Sequence, residues 1–164
     1  MDTNATSHSL SFRPVTPEDD HLLKTIYESS REEEMAMLDQ WPEDFKKNFI
    51  DQQFRAQHDY YINQFREAQF LIILHEGKPA GRLYIDRRPD TIHMIDITLL
   101  PPYRGKGYGE FLIRQLFDEA AQNGKAVSIY VERQNRALHL YRRMGFEVID
   151  DSNEIYLLMS YGPV

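Results

Sequence analysis

Cysteine is absent from all 164 residues, which excludes a disulfide framework, a thiolate zinc site and a cysteine nucleophile and suits a reducing compartment. Long hydrophobic runs are missing too. The longest, residues 70–74, is far too short to cross a bilayer, and residues 1–10 carry no apolar signal core, so no membrane partner and a cytoplasmic location are expected. Positive charge is scarce: 19 Lys and Arg against 26 Asp and Glu give a formal net charge of -7, which argues against broad nucleic-acid binding. His8, His21, His58, His75 and His139 are scattered, with no helical His-Glu-x-x-His pattern or clustered carboxylates, so no metal is expected. A Gly-x-Ser-x-Gly elbow is also lacking.

What is present suits one compact domain over residues 1–164, because 41% apolar content at this length can fill a single core; residues 1–8 are expected to be a flexible N-terminus. Alternation and turn residues predict strands at 10–15, 70–75, 80–86, 92–100, 127–131, 146–149 and 155–160. Four helices are predicted between them. The first begins near Pro17 with Thr16 as its cap, and the second follows the break at Trp41-Pro42. A third starts at Tyr108, and a fourth covers 136–144 and is stopped by Gly145. In the second helix Ile50, Phe54, His58, Tyr61 and Phe65 form one stripe, a core face whose excess apolar surface would support a homodimer. The pattern is that of an α/β (α+β) domain.

The densest local signal is Arg104-Gly105-Lys106-Gly107-Tyr108-Gly109, set between the strand 92–100, the prolines Pro101-Pro102, and an amphipathic helix. Glycines at a helix N-terminus let backbone N–H groups approach an anion, and the helix dipole favours it. Arg104 and Lys106 add mobile positive charge at the rim. Glycine clusters also serve ordinary turns, so spacing has to discriminate. A nucleoside-triphosphatase loop requires Ser or Thr after Gly-Lys, and Tyr108 follows Gly107 here. A dinucleotide fold spaces its glycines differently and places them after the first strand. The pattern that fits is Arg/Gln-x-x-Gly-x-Gly/Ala, met by Arg104, Gly107 and Gly109.

With that loop and its surroundings, the chain resembles the GNAT family of N-acetyltransferases. Leu99, Leu100, Pro101, Tyr103 and Arg104 match the family's strand and proline turn; Asn135, Ala137, Leu140, Tyr141, Gly145 and Phe146 match its closing helix, so the strong likeness spans about 91–149. The resemblance implies a mixed, mostly antiparallel sheet of about seven strands with four helices, splayed between strands 4 and 5. It implies acetyl-CoA as co-substrate, its pantetheine arm bonded to the main chains of Leu99 and Leu100 and fixed from the far side by Asn135. Its pyrophosphate would meet the amides of Arg104, Gly105, Lys106, Gly107, Tyr108 and Gly109. The implied activity is direct acetyl transfer to a primary amine in a ternary complex.

Tyr141 would then be the general acid that protonates the departing thiolate, although its helical face also suits a core residue, and Asn135 also suits a plain helix cap. An amine must lose a proton before attack, and Asp96, Glu132 and His93 are the candidate bases, in that order. Alternation puts Asp96 on a face with Met94 and Thr98, and His93 with Ile95 and Ile97, unless a bulge intervenes. The acceptor wall would hold Glu28, Glu32, Glu33, Glu34, Asp39, Trp41, Glu43 and Asp44, favouring a small cationic amine over a protein or peptide N-terminus. A non-catalytic acyl-CoA-binding regulatory module is the alternative.

Overall fold

The computed structural model describes residues 9–163; the segment expected to be flexible, 1–8, lies outside the described residues. Seven strands form one sheet: β1 (Leu10–Pro14), β2 (Gln69–His75), β3 (Lys78–Arg87), β4 (Thr91–Leu99), β5 (Ala126–Glu132), β6 (Glu147–Asp150) and β7 (Tyr156–Tyr161), in the order β1-β2-β3-β4-β5-β7-β6. Each neighbouring pair is antiparallel except β4 and β5, which run parallel. The crossover between them is α4.

Among the described residues five helices flank the sheet: α1 (Asp20–Ser30), α2 (Glu32–Ala36), α3 (Glu43–Gln64), α4 (Tyr108–Gln122) and α5 (Ala137–Met144). Four were expected. The additional one, α2, arises because Arg31 leaves helical geometry (φ −112°) and the glutamate-rich run starts a fresh turn instead of continuing α1. Thr16 stands at the N-cap, as expected. A short 3₁₀ turn, Pro17–Asp19, precedes α1, and the Asp19 carboxylate reaches back to accept the Thr16 N–H at 2.8 Å. At the other end of the chain, Gly145 adopts a left-handed conformation (φ +108°) after α5, with Phe146 N–H bonded to Tyr141 O and Gly145 N–H to Arg142 O. That closes a Schellman stop.

Both faces of the sheet are covered. On one, α4 and α5 bury Leu112, Ile113, Leu116, Phe117, Tyr141 and Met144 against Leu83, Ile85, Met94, Val127, Ile129 and Met159. On the other, α1 and α3 bury Leu23, Tyr27, Ile50 and Phe54 against Ile72 and Tyr84. Each such side chain withdrawn from water contributes about 1.5–3 kcal/mol before the cost of ordering it. The expected α3 stripe faces inward, with Ile50 and Phe54 buried and Tyr61 packed against their cluster, while Phe45, Tyr60 and Ile62 outside the stripe remain exposed.

Candidate active site

One inserted residue in β4 creates the site. Tyr84 opposes Asp96 while its neighbour Ile85 opposes Met94, so Ile95 is the extra residue of a β-bulge. Alternation breaks there, and Asp96 and Thr98 point to the α1–α3 face while Met94 points to the α4–α5 core. The expected sharing of a face by Asp96 and Met94 is thus corrected. The same bulge marks where β4 leaves β5: their pairing runs from Thr91–Ala126 to Met94–Ile129 and stops, although β4 continues to Leu99 and β5 to Glu132. The strands diverge beyond it.

Backbone groups face this opening in a defined pattern. Leu100 donates its N–H to Ala80 O at 2.8 Å beside the Gly81–Leu99 pair, so the N–H and C=O of Leu99 turn away from β3 into the gap, and those of Ile97 follow by the strand period. Leu100 has both main-chain groups bonded within the fold, its C=O accepting the Tyr103 N–H.

At the mouth of the opening, Gly105 (φ +70°) and Gly107 (φ +85°) are left-handed, a conformation that turns successive N–H groups to one side and costs other residues about 1–2 kcal/mol. A Cβ on either would meet nothing within 4 Å, so the space over the loop is open to a ligand. A cleft of about 480 Å³ starts here, lined by Gly105, Gly107, Gly109, Ile97, Leu99 and Tyr141. These residues fit a diphosphate at the mouth and an extended chain within. Tyr108 begins α4 and shares a 3.0 Å hydrogen bond with His75 Nε2, which holds the loop to β2. Arg104 is not the mobile cation expected. Its Nε donates to Leu99 O (2.9 Å) and its Nη2 to Ser29 O (3.0 Å).

Tyr141 stands where this cleft meets a second one, about 570 Å³, bounded by the α1–α2 junction, β4 and the start of α5. The tyrosine is 7% exposed and packs edge-on against Phe146. Burial, and then the negative charge of Asp96, push its phenol well above the usual tyrosine range, so it keeps its proton at any ordinary pH. Asn135 lines the second cleft and caps α5, its Oδ1 accepting the Ala137 N–H at 2.8 Å. The cap uses one end of the amide and leaves the other.

The three candidate bases differ sharply. Asp96 accepts from Arg82 Nε at 2.5 Å and from Thr98 Oγ at 3.0 Å. Arg82, only 3% exposed, also donates to Gln57 Oε1 at 2.8 Å and lies over the Tyr84 ring. Glu132 lines the second cleft and is open, 3.6 Å from Arg31 Nη1. His93 lies on the α1–α3 face outside both clefts, bonded through Nδ1 to Ser128 Oγ and stacked on Phe65; burial pushes its pKa down to about 4.

The acidic, aromatic acceptor wall is divided. Glu32, Glu33 and Glu34 face the second cleft, but Glu34 pairs with Arg31 at 2.8 Å and Glu33 with Arg136 at 3.1 Å. Glu28, Asp39, Glu43 and Asp44 ring a separate depression with Lys46 and Lys47. Trp41 packs against Phe45 and Phe49. Sequence reasoning missed Arg82, Gln57, Arg31 and Ser29; the one available signal was an arginine at the centre of an apolar strand, where a charge needs a partner. Among the described residues no cluster of three or more His, Asp or Glu could hold a metal ion, and no helix is long and apolar enough to cross a membrane.

Known proteins share this architecture. The PaiA N-acetyltransferase of Thermoplasma acidophilum, solved with coenzyme A, superposes with a TM-score of 0.68 over 94% of this chain and 99% of its own, at 19% identity. An Arabidopsis thaliana protein solved with the bisubstrate analogue CoA-Ac-MVNAL gives 0.57 over 94% and 99%, at 16% identity. Among curated sequences, the ribosomal protein bS18-alanine N-acetyltransferase of Haemophilus influenzae is 29% identical over 68 residues, covering 41% of this chain and 47% of the relative. The L-amino acid N-acyltransferase MnaT of Escherichia coli is 46% identical over 50 residues, 29% of each chain. The chain thus spans under half the length of these curated relatives. The description of the acetyltransferase (GNAT) family matches residues 26–146, most of the chain and all of the splayed-strand site, and the chain belongs to that family.

Proposed function

We propose that the protein is an N-acetyltransferase that moves an acetyl group directly from acetyl-CoA to a primary amine, both substrates bound together. The observation that carries this reading is the position of Tyr141 at the junction of two clefts, one of which opens at the glycine loop. The amides of Gly105 to Gly109 would hold the pyrophosphate, Ile97 and Leu99 the pantetheine arm, and the Asn135 amide its far side. Bound there, acetyl-CoA supplies an activated acyl carbon.

On this reading the amine nitrogen, once neutral, attacks the carbonyl, the carbon–sulfur bond breaks, and Tyr141 gives its proton to the leaving thiolate. Burial keeps the phenol protonated, as a donor must be before it acts. Glu132, directly or through water, takes the proton of the amine. Asp96 is the weaker candidate because Arg82 and Thr98 occupy its oxygens, and His93 is the weakest because it lies outside the clefts.

For the acceptor we propose a small primary amine. Arginines neutralise much of the acidic wall, so strong cation selection is not favoured; mixed signs suit an acceptor that carries polar groups of its own, with α-amino acids the first class to test. MnaT, named for L-amino acids, supports that choice. A peptide N-terminus is the second reading, supported by the relative named for ribosomal protein bS18 alanine. The test is acetyl-CoA turnover against a panel of amino acids, polyamines and short peptides. Turnover with at least one class supports the enzyme. Coenzyme A binding without turnover of any, unchanged in Tyr141→Phe, would favour the regulatory module instead.

A further inference from the structure

We propose that Arg104 is a positioning residue that ties the cofactor loop to the wall of the acceptor cleft, so that filling the first site rigidifies the second. The inference rests on the functional reading above. Three contacts carry it. Arg104 Nε donates to Leu99 O at 2.9 Å, and Leu99 is the β4 residue whose main chain faces the gap. Its Nη2 donates to Ser29 O at 3.0 Å and to Ser29 Oγ at 3.3 Å, across 75 residues of sequence. Ser29 lies in the last turn of α1, where carbonyls lack helical partners, and a guanidinium there both satisfies the carbonyl and complements the dipole.

The consequences run along one chain segment. Two residues after Ser29, Arg31 ends α1, and its guanidinium lies over Tyr27 and pairs with Glu34 and Glu132. The α1–α2 wall is therefore held to β4 by Arg104 on one side and to β5 by Arg31 on the other. Arg104 lines both clefts, and its backbone starts the loop whose glycines would meet the diphosphate. A ligand that fixes the loop restricts the Arg104 side chain, and the wall then has less freedom left to lose when the acceptor binds. Arg31 anchors the wall without touching the loop, so it cannot carry this coupling.

Arg104→Gln isolates the effect. Glutamine is the other residue the loop pattern accepts and keeps the backbone N–H, but it is too short to span Leu99 and Ser29 together. The measurement is amide exchange with and without coenzyme A. In the wild type, coenzyme A should slow exchange at Gly105, Gly107 and Gly109 and also, by at least threefold, at residues 28–34. In Arg104→Gln the loop protection should persist while that at 28–34 disappears, and with the amine that turns over best KM should rise about tenfold more than kcat falls. Ser29→Ala, which removes only the 3.3 Å Oγ contact and keeps the carbonyl bond, should give a smaller loss of the same kind. Loop protection without any response at 28–34 in the wild type would overturn this inference alone. So would an Arg104→Gln protein whose only change is weaker coenzyme A binding. Absence of loop protection in the wild type would overturn the functional reading itself.

Discussion

Arg82 Nε and Asp96 Oδ2 lie 2.5 Å apart on the floor of the second cleft, a largely buried ion pair joining β3 to β4 next to the bulge. Gln57 from α3 takes one guanidinium nitrogen and Thr98 donates to the other carboxylate oxygen, so each charge has a second partner. Such a pair adds little over apolar residues but is costly to break, because the survivor is left buried and uncompensated. Asp96→Asn and Arg82→Met should each lower the unfolding free energy by about 3–5 kcal/mol in urea titration. The double variant should lose less than the sum. If Asp96→Asn were as stable as wild type and abolished the base limb of the pH–rate profile, Asp96 and not Glu132 would be the base.

Tyr141→Phe removes one oxygen at the junction of the clefts. The ring packing against Phe146 remains, so coenzyme A binding and Tm should change little, while kcat should fall by about 10²–10⁴, the usual worth of a positioned acid. Single-turnover kinetics with the best acceptor would check it. A loss of binding with kcat preserved would make the residue a packing element.

Two glycines should respond oppositely to the same change. A Cβ on Gly81 would lie 2.1 Å from Thr98 O, so Gly81→Ala must part β3 from β4 at the pair that orients Leu99, and both Tm and coenzyme A affinity should drop. Gly109 lies in the first turn of α4 outside the left-handed region, and its Cβ would make an ordinary 3.8 Å contact with Leu99. Gly109→Ala should stabilise the protein by up to about 1 kcal/mol through helix propensity, with binding retained. Thermal melts and calorimetry distinguish the two.

Acid should weaken the fold through His93 before it reaches the carboxylates. Its folded pKa of about 4 lies below the ordinary 6.5, so the unfolded chain takes up the proton first and stability falls as pH drops from about 6.5 to 4. The full loss is on the order of 3 kcal/mol. Asp19, held at about 2 by its hydrogen bonds to Arg13, extends the decline below pH 3.8. His93→Gln should flatten the upper part of the urea-stability profile without moving the pH dependence of kcat. A shifted kinetic profile would return His93 to the list of bases.

The sequence was most readable where local chemistry dictates local structure. Gly105 and Gly107 announce left-handed backbone before a helix, and Gly145 announces a helix stop, because no other residue adopts those angles cheaply. Strand positions near the loop were legible through alternation. What alternation could not give was the bulge at Ile95, since an inserted residue leaves no compositional mark and is enforced by pairing with β3. That single insertion reversed the face of Asp96 relative to Met94. The roles of Arg104 and Arg31 were equally hidden, because their partners Ser29, Glu34 and Glu132 come together only after the sheet has formed. Charge counts along the chain overstated the acidity of the acceptor wall for the same reason.

The central claim is that bare main-chain nitrogens beyond Pro102 hold the diphosphate of coenzyme A. Calorimetric titration of coenzyme A into the wild type and into Gly107→Ala tests it most directly, with folding of the variant checked by circular dichroism. Saturable binding of one equivalent to the wild type, weakened at least tenfold in the folded variant, is the expected result. Equal binding by both, or no heat from the folded wild type, would contradict it.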